Sequence, residues 1–178
     1  MEKMPSYDNL LSGGDLRSIG NSDRIAANIQ SQDDFDILFP YLFQPDRLVV
    51  MRAADAIEKI TVHHPEYLQK HKEHILELCR QAANKELQWH LALLLPRLDA
   101  EGQTLEHIWG ILEQWARDKT NSRIVRVNSL QGMFEMAKRK REWTLDFISL
   151  LTELEQENIP SLSARIKKIR KQIEQTTA

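Results

Sequence analysis

Three segments of the chain carry one pattern of apolar residues at a constant interval. Residues 47–60, 85–98 and 123–136 align without a gap at an offset of 38 residues. In the first segment the shared positions are Val49, Ala53, Ala56, Ile57 and Ile60. Steps of four, three, one and three residues between these positions place them on one face of an α-helix. An interval of this length is typical of repeat proteins.

Helical stripes of apolar residues also occur between the three aligned segments. They lie within residues 35–42, 67–79, 105–115 and 147–154. Pro45 separates the first two helices, Pro65 opens the next one, and Gly102 marks the following turn. A helix pair therefore recurs about every 38 residues. Because one pair cannot bury its apolar face alone, the pairs are expected to stack on one another.

The repeat predicts an all-α fold, a short α-α solenoid of about four helix pairs with an N-terminal capping segment. We predict one domain, residues 1–178, whose N-terminal segment and cap occupy residues 1–32. The predicted helix pairs follow at residues 33–64, 65–101, 102–141 and 142–175.

The composition suits a chain that folds without metal or disulfide support. With 178 residues, of which 42% are hydrophobic and 28% charged, the chain can bury a continuous core. The single Cys79 fits a reducing compartment. The N-terminus lacks the apolar core of a signal peptide, and no stretch of sequence is apolar enough to span a membrane. We therefore predict a cytoplasmic protein with no membrane partner.

A charged pair and several longer segments connect the chain to a known repeat. Asp46 and Arg52 lie six residues apart across the start of a second helix, and look like the Asp and Arg pair of HEAT repeats. The longer segments are LLSGGDLRSIG (10–20), MRAADAIEK (51–59), WHLALLLPRL (89–98) and SRIVRVNSLQGM (122–133). The chain thus resembles HEAT-repeat, armadillo-like proteins, and most closely a group of small bacterial HEAT-like proteins. The resemblance implies the fold and carries no activity with it.

A row of polar residues along the second helix of each predicted pair is the predicted binding face. In a solenoid, one helix of each repeat lines an extended concave groove. The residues expected there are Arg52, Asp55, Lys59, Trp89, His90, Arg97, Asn128 and Gln131. Two of them have competing interpretations, because Trp89 suits packing between repeats better than ligand stacking, and Arg52 is expected to pair with Asp46. We predict a non-catalytic interaction module for a protein or peptide partner, with no cofactor and no metal.

The alternative is a nucleic-acid-binding protein or a HEAT-like DNA alkylation repair glycosylase. Enzymes of that group use a basic concave face with aromatic and acidic residues, roles that Trp89, Asp55 and Arg97 could take. The net charge of -2 and the mixed signs along the row argue against this alternative. The sequence also does not match the tryptophan and aspartate arrangement of those glycosylases.

Three other features are assigned structural roles. The crowded His63, His64, His71 and His74 lack a third ligand at a zinc-binding spacing. GGDLRSIG (13–20) lacks the Lys-Ser/Thr ending of a phosphate loop, and is expected to form a turn leading to a helix cap at Asn21 or Ser22. In this turn Asp15 and Arg17 would hold the N-terminal segment against the first repeat. The basic KRKRE (138–142) and the lysines and arginines of the last helix are expected to form a solvated surface.

Overall fold

The computed structural model describes residues 7–13 and 20–177, and this part of the chain is all-helical. Helix accounts for 82% of it, in about 10 helices, and no strand occurs among these residues. The predicted all-α class is therefore confirmed. By its internal contacts the chain divides into two compact units, Met1–Leu98 and Asp99–Ala178. The division into one domain of four helix pairs stays a prediction.

The first unit contains six α-helices in the described residues. They are α1 (Asp8–Leu11), α2 (Ser22–Asn28), α3 (Gln32–Leu38), α4 (Arg47–His63), α5 (Lys72–Gln81) and α6 (Lys85–Leu94). Shorter 3-10 helices span Phe39–Phe43, Pro65–His71 and Leu95–Arg97. Helix α4 packs against α2 and against α6. Of these three helices, α4 and α6 are the second helices of the first two predicted pairs, and α2 lies in the predicted N-terminal segment.

Side-chain caps and small residues explain why α4 lies at the centre of this unit. The Leu48 N–H donates to the Asp46 carboxylate at 2.8 Å, which caps the first turn. Further along the helix, Ala53, Ala54 and Ala56 are fully buried. Their small side chains let neighbouring helices approach the α4 backbone closely.

Two prolines end helices in the first unit. Helix α3 stops at Leu38 before Pro40, and α6 stops at Leu94 before Pro96. In both cases the chain continues as a 3-10 helix, because proline has no N–H to donate to the helix. A proline within an apolar helical stripe predicts such an interruption from the sequence alone, and the structure confirms it at Pro40 and Pro96.

Residues 99–177, the described part of the second unit, contain four α-helices. They are α7 (Gly102–Arg117), α8 (Arg123–Arg139), α9 (Thr144–Glu155) and α10 (Pro160–Thr177), with a 3-10 helix at Arg141–Trp143. Helix α8 packs against both α7 and α10, and Ser122 caps its first turn by accepting from the Val125 N–H. Of the apolar residues spaced along one face of α10, Leu162, Ile166 and Ile169 are buried and Ile173 is half-buried.

No helix in the described residues is both long enough and apolar enough to cross a membrane.

Candidate functional site

The residues of the predicted polar row lie on α4, α6 and the 3-10 helix Leu95–Arg97 in the first unit, and on α8 in the second. In the first unit Arg52 is 2% exposed and His90 is 5% exposed, so both are buried. The other members of the row, which are half-buried, are Asp55, Lys59, Trp89, Arg97, Asn128 and Gln131. Much of the row is therefore engaged in contacts inside each unit, and less of it can reach a partner than the sequence predicts.

Arg52 joins helix α4 to the N-terminal helix α1. Its Nη1 donates to the carbonyl oxygens of Leu11 and Ser12, at 2.9 and 3.0 Å. These carbonyls lie at the C-terminal end of α1, where helix geometry leaves them without helical N–H partners. Asp46, the partner predicted for Arg52, caps α4 through the Leu48 N–H. Arg52 is thus a structural residue of the first unit.

A charged cluster joins α2 to α4. The Ser22 hydroxyl donates to Asp55 Oδ2 at 2.5 Å, and Lys59 Nζ donates to the same oxygen at 2.6 Å. Lys59 Nζ also donates to Asp23 Oδ1 at 2.5 Å. Burial acts to lower the pKa of Lys59, but its hydrogen bonds to Asp23 and Asp55 outweigh burial and raise the pKa. Lys59 therefore stays positively charged and holds two carboxylates together.

A second polar cluster joins α4 to α6 and to the 3-10 helix that follows α6. The ring nitrogen Nδ1 of His90 lies 2.6 Å from Glu58 Oε2. Arg97 Nη1 donates to the Glu58 carbonyl oxygen at 2.6 Å and to Thr61 Oγ1 at 2.7 Å. The Trp89 ring lies 5.5 Å from the His90 ring, between centroids, so the tryptophan packs beside this cluster.

In the second unit Gln131 joins α8 to α10. Its side-chain oxygen accepts from Arg165 at 2.5 Å, and its amide donates to Glu135 at 2.8 Å. Gln131 therefore has polar partners on both its own helix and the neighbouring one.

Arg126 on α8 was not among the predicted site residues, and it is buried, with 1% exposed. Its Nε donates to the Ala116 carbonyl, and its Nη1 and Nη2 donate to the two Glu157 oxygens at 2.9 Å each. The hydrogen bonds from Arg126 lower the pKa of Glu157. Arg126 thus links the end of α7, helix α8 and the loop before α10.

An open cleft of about 440 Å³ lies beside the Asp23 and Lys59 pair in the first unit. It is formed by α2 and by the C-terminal half of α4. Its apolar lining, which we call the floor, consists of Ala26, Ala27, Ile29 and Ile60. Its polar lining, which we call the rim, consists of Asp23, Gln30, Lys59, His63 and His64. Five of the nine lining residues are polar, so this is an open cleft of mixed character.

The histidines singled out in the sequence lie in two places, His63 and His64 at the cleft and His71 and His74 beside Phe39. His71 stacks on Phe39 with ring centroids 3.9 Å apart, and its Nε2 lies 2.6 Å from Asp36. His64 stacks on Tyr67 at 5.0 Å and belongs, with His63, to the rim of the cleft. Nowhere in residues 7–13 and 20–177 do three His, Cys, Asp or Glu side chains lie close enough to hold a metal ion.

The glycine-rich segment is only partly described. Asp15 and Arg17, which were expected to hold the N-terminal segment in place, lie outside the described residues. Helix α2 begins at Ser22, as the sequence predicts, but neither candidate side chain caps it. The Asn21 amide donates to the Leu10 carbonyl at 3.4 Å, and the Ser22 hydroxyl donates to Asp55.

Sequence reasoning also left Ser22, Asp23 and Glu58 out of the candidate site. A usable signal was present, because each of them bonds to a residue nearly one repeat further along the chain. The sequence separations are 33 for Ser22 and Asp55, 36 for Asp23 and Lys59, and 32 for Glu58 and His90. Opposite charges at about this separation could have identified the clusters.

Comparison of the chain with known protein families, curated proteins and solved structures finds no match.

Proposed function

We propose that this protein is a HEAT-like α-α solenoid that binds a protein or peptide partner and does not catalyse a reaction. The observation that carries the proposal is the pattern of polar contacts made by helix α4 in the first unit. Its contacts to α2, to α6 and to the 3-10 helix after α6 join residues 32 to 39 positions apart, close to the interval of the sequence repeat. In solenoids each repeat contacts its sequence neighbours in this way.

The cleft in the first unit is the surface through which the partner would bind. Of the predicted row, Lys59 belongs to the rim of the cleft. Asp55, another residue of the row, accepts a 2.6 Å hydrogen bond from Lys59. The floor offers apolar surface next to polar groups, a combination that fixes both affinity and orientation of a bound segment.

The alternative, a nucleic-acid-binding protein or a DNA glycosylase, has less support. Asp55 is engaged with Ser22 and Lys59, and Arg97 donates to the Glu58 carbonyl and to Thr61. An aspartate and an arginine held in this way have less capacity left for DNA. Tight, salt-sensitive binding of a duplex oligonucleotide in a fluorescence anisotropy titration would favour this alternative over the module.

A peptide selection tests the proposed function. Random dodecapeptides displayed on phage would be selected on the unmodified protein, and the selected peptides titrated against two variants. In A27W, a large ring fills the cleft from an exposed position of α2. In the matched control A83W, the same ring is placed on an exposed position between α5 and α6.

We expect A27W to weaken binding of the selected peptides by more than about tenfold and A83W to leave it unchanged. Circular dichroism and the thermal midpoint Tm would show that both variants keep the fold. The proposal is wrong if no peptide binds above background, or if the selected peptides bind A27W as well as the unmodified protein.

A further inference from the structure

We infer that the cleft between α2 and α4 binds a basic side chain, arginine or lysine, of the partner peptide. This inference rests on the proposed function and names the chemical class of group that the cleft recognises. Three features carry it: the net charge of the cluster of Asp23, Asp55 and Lys59, the C-terminal ends of α2 and α4 at the cleft, and the apolar floor.

The charge balance of the cluster formed by Asp23, Asp55 and Lys59, beside the cleft, favours a cation. The ammonium group of Lys59 is shared between two carboxylates, those of Asp23 and Asp55, at 2.5 and 2.6 Å. An anionic ligand would have to compete with both carboxylates for this ammonium group. Because the cluster holds two carboxylates and one ammonium group, its net charge is negative and attracts a cation.

Asp23 is the rim residue best placed to bind an incoming cation. Its side chain is 71% exposed, whereas that of Asp55 is 14% exposed. A carboxylate can accept about four hydrogen bonds. Since Asp23 Oδ1 accepts from Lys59, the carboxylate keeps acceptor capacity for a guanidinium or ammonium group.

The backbone adds further negative charge at the cleft. Helix α2 ends at Asn28 and α4 ends at His63, so Ala27, Ile60 and His63 of the lining belong to the last turns of these helices. The C-terminal end of a helix carries partial negative charge on its last carbonyl groups, and cations are favoured there. The Ala27 carbonyl also accepts from the Gln30 amide and the Ile60 carbonyl from the His64 N–H, so these ends act on a ligand through their partial charge.

The floor suits the aliphatic part of the same side chains. Arginine and lysine carry three or four methylene groups below the charge, and these groups pack on apolar surface while the charged end stays near polar groups. The small side chains of Ala26 and Ala27 leave room for an aliphatic chain, and the exposed parts of Ile29 and Ile60, 5% of each residue, complete the apolar lining. A cation with an aliphatic stem therefore matches both halves of the cleft.

The test uses the peptides selected on the unmodified protein whose binding is lost in A27W. In each peptide, every arginine would be replaced by citrulline and every lysine by norleucine, which removes the charge and keeps most of the shape. These peptides would be titrated against the unmodified protein and against two variants. D23N removes the exposed rim carboxylate from the first turn of α2, and the matched control D33N removes an exposed carboxylate from the first turn of α3.

We expect one neutral replacement in each peptide to weaken binding to the unmodified protein and to D33N by about tenfold or more. The same replacement should have a much smaller effect on D23N, because the charge partner is already lost. This inference is wrong if the peptides whose binding is lost in A27W need no basic residue, or need an acidic one. That result would leave the proposed function standing. If no cleft-dependent peptide is obtained, both the inference and the proposed function fail.

Discussion

His90 Nδ1 lies 2.6 Å from Glu58 Oε2, and this contact joins α6 to α4 in the first unit. The histidine side chain is 6% exposed and the glutamate side chain 24% exposed. Replacing His90 by alanine would leave the glutamate without this partner and remove a buried ring. We expect H90A to lower the free energy of unfolding by about 1–3 kcal/mol, measured by urea denaturation.

Two further variants would separate the hydrogen bond from the general loss of a side chain. In H90Q the glutamine amide can still donate to Glu58, so we expect a smaller loss than in H90A. His107 is exposed on α7, and H107A should change stability by less than about 0.5 kcal/mol. Equal losses in H90A and H107A would contradict a stabilising role for the contact with Glu58.

In the second unit, Arg126 and Glu157 form a buried ion pair whose disruption should be costly. The side chains are 2% and 14% exposed, and the arginine also donates to the Ala116 carbonyl. R126M would leave the glutamate charge and this carbonyl without the guanidinium, and we expect a loss of about 3–5 kcal/mol. Arg117 and Glu153 form a more exposed pair in the same unit. R117M should cost about 1 kcal/mol or less in the same denaturation experiment.

The sequence predicted the helices well because their apolar faces follow a regular period. Ala53 and Ile57 belong to the predicted stripe of α4 and are fully buried. Pro40 and Pro96 end helices where the sequence places them, because the missing N–H acts locally. Period and proline chemistry depend only on neighbouring residues, so one sequence is enough to predict them.

The candidate site was harder to predict because its contacts join distant residues. Arg52 and His90 were assigned to a binding face on their polarity, and both are buried with polar contacts to other helices. Polarity marks a helix face as exposed only when no neighbouring helix supplies hydrogen-bond partners. Those partners, such as Glu58 for His90, depend on how the helices stack and rotate. The cleft likewise depends on how α2 and α4 pack.

The carboxyl group of Asp36 on α3 should make the stability of the first unit sensitive to acid. Burial acts to raise the pKa of this carboxyl group, but hydrogen bonds from Lys70, Gln32 and His71 outweigh it and lower the pKa to about 2. Because this pKa lies below the ordinary value of 3.8, the carboxylate stabilises the fold above about pH 4. The contribution should be lost as the pH falls from about 4 to about 2.

D36N tests this dependence. We expect it to be less stable than the unmodified protein at neutral pH, by at most about 2 kcal/mol after solvent screening. The difference in the free energy of unfolding should shrink as the pH falls below about 4. D33N, which changes an exposed carboxylate on the same helix, serves as the control. A difference between D36N and the unmodified protein that stays constant down to pH 2 would count against the hydrogen bonds as the cause.

Gly20 provides a test of the position of Arg52 that leaves the arginine itself unchanged. A Cβ atom at Gly20 would lie 2.8 Å from Arg52 Nε, and the glycine has a φ of +59°. The guanidinium group cannot move away freely, because it is buried and donates to the Leu11 and Ser12 carbonyls. Gly13 has a φ of +77°, and a Cβ there would meet nothing within 4 Å.

G13A should therefore lower the free energy of unfolding by only about 1 kcal/mol, because alanine is strained in the left-handed backbone conformation. G20A should cost this amount and the displacement of Arg52 in addition, so we expect its loss of stability to be clearly larger. Urea denaturation of the two variants measures the difference. Hydrogen exchange at the backbone of α1 should also increase in G20A, because the helix loses its contact with Arg52. Equal stability of G13A and G20A would show that the position of Arg52 does not require the close approach of the Gly20 backbone.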